Sequence, residues 1–318
     1  MSPFTSCLGP QIERFLAHKR ALGRGYHREE MLLREIDRFA SRGQNDFLSE
    51  QLVRIYISSF TPAARPNRLT IIRQLARFLV FEESRTFIPS TRFLGIRRQR
   101  PVIRLLSRAE AGRFLDACDH LPPTAPFVRR IVHGTALRLL LLTGLRRGEM
   151  LGLRNQDVDL QQSTLRVRGK FGKTRIVPIT PDMSQRLREY RKSATAELKH
   201  DGPNDAFFPR ADGQRPTPFK SLYKSFRCVL NTAEIEHGGR GNGPRIHDLR
   251  HSFAVLRLLR WYESDVDLGV KLPLLATYLG HIGMVTSQVY LHMTRDLVGE
   301  VVRREIDRFG DLITEVSP

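Results

Sequence analysis

The chain has 318 residues, of which 41% are hydrophobic, so it is long enough for two globular domains with ordinary buried cores. Lysine and arginine number 52 against 33 aspartates and glutamates, which gives a formal charge of +19 at pH 7 and excludes an acidic or neutral surface. This balance predicts a polyanionic partner, with double-stranded DNA or another nucleic acid ahead of an anionic membrane surface.

The sequence contains no run of about 18 apolar residues and does not begin with a signal-peptide pattern. We therefore expect a cytoplasmic protein that makes no membrane contact and associates with the nucleoid. The three cysteines, Cys7, Cys118 and Cys228, lie far apart and form neither a metal-binding nor a redox spacing. They are expected to be unreactive thiols.

Apolar residues recur at helical spacing in four segments of the first part of the chain. The four stripes are Ile12, Phe15 and Leu16; Leu32, Leu33, Ile36 and Phe39; Leu52, Val53, Tyr56 and Ile57; and Leu69, Ile72, Leu75 and Leu79. They predict a small helical bundle, and the faces opposite the stripes carry many arginines. Residues 1–88 are therefore predicted to form an N-terminal helical domain that binds DNA.

Residues 89–105 lack periodicity and include two prolines, which predicts an interdomain linker. No acidic residue separates the arginines of this segment, which are Arg92, Arg97, Arg98, Arg100 and Arg104. A solvated loop would also explain these charges. The density of arginine favours contact with DNA phosphates.

A second domain is predicted over residues 106–318. Ser107 and Glu110 have the spacing of a capping box at a helix N-terminus, and a strongly apolar helix over 131–142 is ended by Gly144. Residues 164–168 and 174–179 have the pattern of two strands joined by a turn, which predicts a β-hairpin in an otherwise helical domain. The fold class is therefore mainly α with a small β-sheet (α+β).

Four short segments of this second domain carry candidate chemistry: Thr143–Glu149 (TGLRRGE), the turn 169–173 (GKFGK), His247–His251 (HDLRH), and Leu279–His281 (LGH) followed by Tyr290. Each of them is a weak signal alone, because such short patterns are common by chance. Their joint order is specific.

In this order the segments resemble the tyrosine recombinases, the phage integrase family, over about residues 107–295. The nine residues from His281 to Tyr290 match the spacing usual in that family. The resemblance implies a helical core-binding domain, a catalytic domain and a tetramer assembled on DNA. It also implies six catalytic residues, which are Arg146, Lys170, His247, Arg250, His281 and Tyr290.

Three features depart from the family pattern. Gly148 stands where serine is frequent, Phe171 where the hairpin often has glycine, and the 31 residues from Arg250 to His281 are more than is common. None of these differences removes a reacting group. The longer interval is expected to enlarge a loop or a helix near the site.

The chemistry also follows from the residue types. A phosphodiester under attack develops charge on its non-bridging oxygens, which the planar guanidiniums of Arg146 and Arg250 would stabilise. Attack by Tyr290 requires a group that receives its proton, and His247 suits this role. His281 could donate a hydrogen bond to a phosphate oxygen.

Two lysines lie close together in the hairpin turn. A lysine whose pKa is lowered by neighbouring arginines can protonate the departing 5′ oxygen, and Lys170 is the candidate. Lys173 is expected to contact DNA. A solvated hairpin tip is the simpler alternative for both.

Three further features have two interpretations each. Glu149 either holds a basic side chain of the site or forms a surface ion pair. His247 and His251 could chelate a metal on one helix face, although no further ligands accompany them and a metal is not expected. An apolar helical stripe over 297–313 packs on its own domain or docks in trans on a neighbouring protomer.

The sequence therefore predicts a site-specific DNA recombinase that works through a 3′-phosphotyrosine in the integration, excision or transposition of mobile DNA. No cofactor is expected, because no phosphate-binding or dinucleotide-binding glycine loop is present. The alternatives are a type IB topoisomerase-like relaxing enzyme, a non-catalytic basic DNA-binding protein and, more weakly, a metal-dependent nuclease.

Overall fold

The computed structural model describes residues 4–43, 46–96, 102–122, 125–169, 173–198, 201–213, 215–239 and 243–280. The chain divides into two compact units, residues 1–100 and residues 101–318. Among the described residues, no helix combines the length and the apolar character needed to cross a membrane.

The N-terminal unit contains the four helices that the apolar stripes predicted. They are α1 (Gly9–Ala21), α2 (His27–Arg42), α3 (Glu50–Ser58) and α4 (Arg65–Leu79). The striped residues form the core, with Leu32 and Phe39 partly buried at its edge, and Ser49 caps α3 by accepting a hydrogen bond from the Leu52 N–H. Buried Asp37 accepts hydrogen bonds from the backbone N–H groups of Thr5 and Ser6, which fixes the start of the chain against α2.

The segment predicted as a linker begins inside this N-terminal core. Phe93 and Ile96 are buried against it, and a 3₁₀ turn at Phe93–Gly95 connects them. The missing periodicity over 93–96 therefore reflects irregular backbone, since the apolar side chains of Phe93 and Ile96 still pack in the core.

The C-terminal unit is helical around one small sheet. Its helices are α5 (Arg108–Asp119), α6 (Gly134–Thr143), α7 (Arg147–Leu151), α8 (Pro181–Leu198), α9 (Phe219–Thr232), α10 (Asp248–Glu263) and α11 (Leu268–Leu279). Ser107 and Glu110 form the predicted capping box at the start of α5. The long interval after Arg250 is mostly helical, since it comprises the remainder of α10, a short turn and α11.

The predicted hairpin is present as two strands of a three-stranded antiparallel sheet. The strands are β1 (Val158–Asp159), β2 (Thr164–Arg168) and β3 (Thr174–Pro178), paired in the order β1-β2-β3. Leu165 pairs with Val177, and Val167 pairs with Arg175. Because paired residues share a face, Arg175 lies on the face whose three apolar members are fully buried in the core.

The beginning of the long apolar helix differs from the prediction. A π-helical turn over Val128–His133 precedes α6. His133 is buried there and shares hydrogen bonds with the hydroxyls of Ser225 and Thr217. A buried polar side chain must be satisfied, and the wider turn allows this within the helix.

Gly144 ends α6 in a backbone conformation that favours glycine. Its φ is +60°, and a Cβ at this position would lie 2.5 Å from Cδ1 of Phe253 on α10. The absence of a side chain therefore lets α10 pack directly on the end of α6.

We expect Gly144→Ala to destabilise the C-terminal unit by about 2–4 kcal/mol, because left-handed strain and overpacking add. The single tryptophan, Trp261, lies on α10 and reports on this unit, so thermal unfolding followed by its fluorescence measures the change. Gly148→Ala is the matched control, since a Cβ at Gly148 has no neighbour within 4 Å. Equal melting temperatures for the two variants would contradict this account.

Candidate active site

Arg250 lies in the first turn of α10, and its side chain is almost completely buried. Its two terminal nitrogens donate hydrogen bonds of 2.7 Å to the carbonyl oxygens of Gly144 and Leu279. These residues stand at the C-terminal ends of α6 and α11, where carbonyl groups lack helical partners and carry the negative end of the helix dipole. One guanidinium therefore joins three helices.

Arg146 lies two residues after Gly144, at the N-terminus of α7. Its side chain donates to Oε1 of Glu149 at 2.7 Å and to the carbonyl oxygen of Gly280 at 3.0 Å. Gly280 adjoins Leu279, so the two predicted catalytic arginines bind consecutive carbonyls at the end of α11. Unlike Arg250, Arg146 is partly open to solvent, with 31% of its side chain exposed.

Glu149 is a buried carboxylate between two arginines. It accepts hydrogen bonds from the backbone and side chain of Arg146, and both of its oxygens accept from Arg175, at 3.0 and 2.9 Å. Burial alone would raise the pKa of this carboxyl, but the hydrogen bonds from Arg175 and Arg146 outweigh it and lower the pKa to about 2. The interpretation of Glu149 as a residue that holds a basic side chain therefore fits better than a surface ion pair.

His247 immediately precedes α10 and is exposed at the surface. Partial burial lowers its pKa, and the charges of Arg250, Arg245 and Arg146 act in the same direction, whereas Asp248 opposes them. The lowered pKa favours the neutral imidazole of His247 at pH 7, which is the form that can accept a proton. The rings of His247 and His251 meet edge to face, with centroids 5.0 Å apart.

Asp248, next to His247, is buried and anchors the start of α10. It accepts hydrogen bonds from the backbone and the guanidinium of Arg245. Among the described residues, no group of three or more His, Cys, Asp or Glu side chains could hold a metal ion.

The structure describes some of the remaining predicted site residues and not others. Lys170, His281, Tyr290, Arg97, Arg98, Arg100 and the 297–313 stripe lie outside the described residues. Lys173 is exposed, and its carbonyl accepts a 2.7 Å hydrogen bond from the Gly169 N–H that closes the hairpin turn. Arg92 is exposed, whereas Arg104 pairs with the capping-box residue Glu110.

Arg175 is the residue of this site that the sequence analysis did not identify. A signal was present in the alternation of β3, where an arginine two residues before Val177 must share its inward face. A charged side chain on a buried face requires a partner, and the motif at Glu149 supplies one.

Comparisons with known proteins show the family of the chain and agree with this fold. Residues 104–296 match the family model described as the phage integrase family, which is more than half of the chain. A protein of the integrase/recombinase type from Sinorhizobium fredii, y4rE, is 32% identical over 309 residues, covering 96% of this chain and 97% of its own length.

Two solved structures illustrate the shared fold. The XerH site-specific recombinase, bound to a palindromic difH substrate in a post-cleavage complex, has a TM-score of 0.61 at 19% identity, over 86% of this chain and 77% of its own. A lambda integrase tetramer bound to a Holliday junction has a TM-score of 0.56 at 16% identity, over 89% of this chain and 76% of its own.

These matches define the chain as a DNA strand-transferring enzyme of the tyrosine recombinase class. It belongs to the phage integrase family. The family resemblance and the α+β fold class predicted from the sequence are both confirmed.

The low pKa of Glu149 has a consequence for stability. Its pKa of about 2 lies below the ordinary value of 4.5, so the ionised carboxylate stabilises the fold above about pH 4.5, and this contribution disappears as the pH falls towards 2. The difference corresponds to a free energy on the order of 3 kcal/mol.

We therefore expect Glu149→Gln to lower the free energy of unfolding most above pH 5, with a difference from the wild type that shrinks towards pH 3. Urea unfolding followed by Trp261 fluorescence across this range measures it. Glu263→Gln, which removes an exposed ion pair with Arg108, should cost less than about 1 kcal/mol. A Glu149→Gln difference that does not vary with pH would contradict the assignment.

Proposed function

We propose that this chain is a site-specific recombinase that cleaves and rejoins DNA through a 3′-phosphotyrosine on Tyr290. The observation that carries the proposal is the pair of guanidiniums, on Arg146 and Arg250, fixed by the consecutive carbonyls of Leu279 and Gly280. The next residue in the chain is His281, and Tyr290 follows nine residues later.

The proposed reaction is an in-line displacement at phosphorus. The phenolic oxygen of Tyr290 attacks, the bond from phosphorus to the 5′ oxygen breaks, and the proton of Tyr290 passes to the neutral His247. Lys170 protonates the departing 5′ oxygen, and His281 donates a hydrogen bond to a phosphate oxygen.

The charge that develops on the phosphorane oxygens is stabilised by the positively charged, planar guanidiniums of Arg146 and Arg250. The 5′ hydroxyl of another strand then attacks the phosphotyrosine, releases Tyr290 and joins the new strand. The energy of the broken bond is retained in the covalent intermediate, so these steps require no nucleotide cofactor.

Family membership favours a recombinase over the other functions considered. A type IB topoisomerase-like enzyme would relax DNA without exchanging strands between defined sites. A non-catalytic DNA-binding protein would have no need of two arginines fixed in this way, and a metal-dependent nuclease would lose activity in excess EDTA.

The proposed substrate is double-stranded DNA, gripped by a helical domain over 1–88 and a catalytic domain over 106–318, with the basic linker 89–105 between them. Phosphate contacts are assigned to Arg92, Arg97, Arg98, Arg100, Arg104 and Lys173. The exposure of Arg92 and Lys173 supports this role, whereas Arg104 would have to exchange Glu110 for phosphate.

The proposed assembly is a tetramer on DNA, by analogy with the lambda integrase tetramer on its Holliday junction. The apolar stripe over 297–313 would dock in trans on a neighbouring protomer. An apolar cleft of about 340 Å³ between α6, α10 and α11 offers a receptor of suitable chemistry, lined among others by Leu142, Phe253, Trp261 and Leu274. The active complex would be associated with the nucleoid.

Tyr290→Phe should abolish covalent capture of DNA and leave DNA binding nearly unchanged, because only the nucleophilic hydroxyl is removed. A nicked suicide substrate that traps the intermediate, resolved on a denaturing gel, measures capture. Tyr262→Phe, at an exposed tyrosine of the same unit, should capture at the wild-type level. Capture by Tyr290→Phe at that level would refute the proposal.

Lys170→Ala should slow cleavage by roughly 10²–10⁴-fold, the range typical of one positioned general acid, whereas Lys173→Ala should cost little. A 5′-bridging phosphorothiolate contains a sulfur that leaves without a proton, so it should restore cleavage by Lys170→Ala. It should not restore cleavage by Arg146→Ala, whose defect lies in charge stabilisation. Equal impairment of the two lysine variants would indicate that neither acts as the specific acid.

A further inference from the structure

Arg175 makes three hydrogen bonds to two elements on either side of it. From β3 it donates to both oxygens of Glu149 and, through Nε at 2.8 Å, to the carbonyl oxygen of Tyr278 near the end of α11. Only 15% of its side chain is exposed. A planar guanidinium can satisfy all three acceptors at once, which a lysine ammonium cannot do in the same geometry.

The same guanidinium packs closely on the residue that binds Arg146. A Cβ placed on Gly280 would lie 2.8 Å from Nη1 of Arg175, and the φ of Gly280 is +68°. The carbonyl of Gly280 accepts a hydrogen bond from Arg146. Both partners that hold the Arg146 side chain, Glu149 and Gly280, are therefore themselves held or contacted by Arg175.

The charges give this arrangement a second effect. Arg146 and Glu149 alone would form a neutral pair, in which the carboxylate offsets the positive charge that a phosphate requires. Arg175 engages both oxygens of Glu149, so the three side chains together retain a charge of +1. Solvent screens this additional positive charge only weakly, because the cluster is largely buried.

We propose that Arg175 is a positioning residue of the recombination site, which holds Glu149 and the end of α11 so that Arg146 presents an oriented and uncompensated guanidinium to the scissile phosphate. The proposal rests on the function proposed above for Arg146. It assigns to Arg175 an action through Glu149 and Gly280, without contact with DNA.

The test compares Arg175→Gln with the wild type on two suicide substrates, one with the natural phosphodiester and one with a methylphosphonate at the scissile position. The methyl group replaces a charged oxygen, so the site no longer needs the full charge of Arg146. We expect Arg175→Gln to cleave the phosphodiester about 10²-fold more slowly, as for a misplaced catalytic group. On the methylphosphonate this loss should shrink by about tenfold or more.

This comparison remains informative if the variant folds poorly. The ratio of the two rates is measured on one preparation, so the fraction of folded protein cancels. Arg175→Lys, which keeps the charge but not the planar fork, should lose less activity than Arg175→Gln. Arg138→Gln is the matched control, because Arg138 is also buried and binds one carboxylate, Asp119, and one carbonyl, that of Leu115.

Arg138→Gln should lose stability without changing the ratio of the two rates. The double variant Arg175→Gln/Glu149→Gln should cleave little more slowly than the slower of the two single variants, because both changes act on Arg146 through one network. Equal losses of Arg175→Gln on both substrates, or full additivity with Glu149→Gln, would overturn the inference. If Tyr290→Phe still captured DNA, the proposed function itself would fail, whatever the result for Arg175.

Discussion

The catalytic unit depends on the placement of buried guanidiniums at the C-terminal ends of helices. Removing an arginine from water is costly unless its donors are satisfied, and the carbonyls that end α6 and α11 are groups that otherwise lack helical partners. Arg250 satisfies its own donors and supplies partners to these carbonyls at the same time, since it binds Gly144 and Leu279 from the first turn of α10. Gly144 permits α10 to pack on the end of α6, and this packing brings the Arg250 guanidinium to both carbonyls.

The second constraint is the balance of charge around Glu149. Two arginines on one buried carboxylate keep it ionised, as the strong depression of its pKa indicates. A phosphate-binding site benefits from a fixed excess of positive charge that need not reorganise when the substrate arrives. Because Glu149 is shared between Arg146 and Arg175, it can hold Arg146 in one orientation while the site keeps its excess of positive charge.

Local patterns in the sequence predicted much of this architecture. The four N-terminal helices followed from apolar stripes, and the start of α5 from the spacing of Ser107 and Glu110, because these features depend on neighbours in the chain. The π-helical turn before α6 could not be predicted in this way, since it accommodates hydrogen bonds from His133 to residues more than 80 positions away. Arg175 was missed for a related reason: its inward position was readable from β3, but its partner Glu149 is brought near only by the tertiary fold.

The two arginines of the site differ in a way that the motifs alone do not reveal. Arg250 is almost wholly buried, whereas 31% of the Arg146 side chain is exposed. Two of the five N–H donors of Arg146 bind Glu149 and the carbonyl oxygen of Gly280. In the proposed reaction the phosphate would therefore reach Arg146 from the solvent side, and Arg250 would contribute mainly through its charge. A hydrogen bond from the Leu106 N–H to Ser252, one turn along α10 from Asp248, ties this helix to the segment that follows the basic linker. The first turns of α10, which follow His247 and carry Arg250, are thus held by hydrogen bonds to several other segments. Such fixed placement is the preorganisation that electrostatic catalysis of phosphoryl transfer requires.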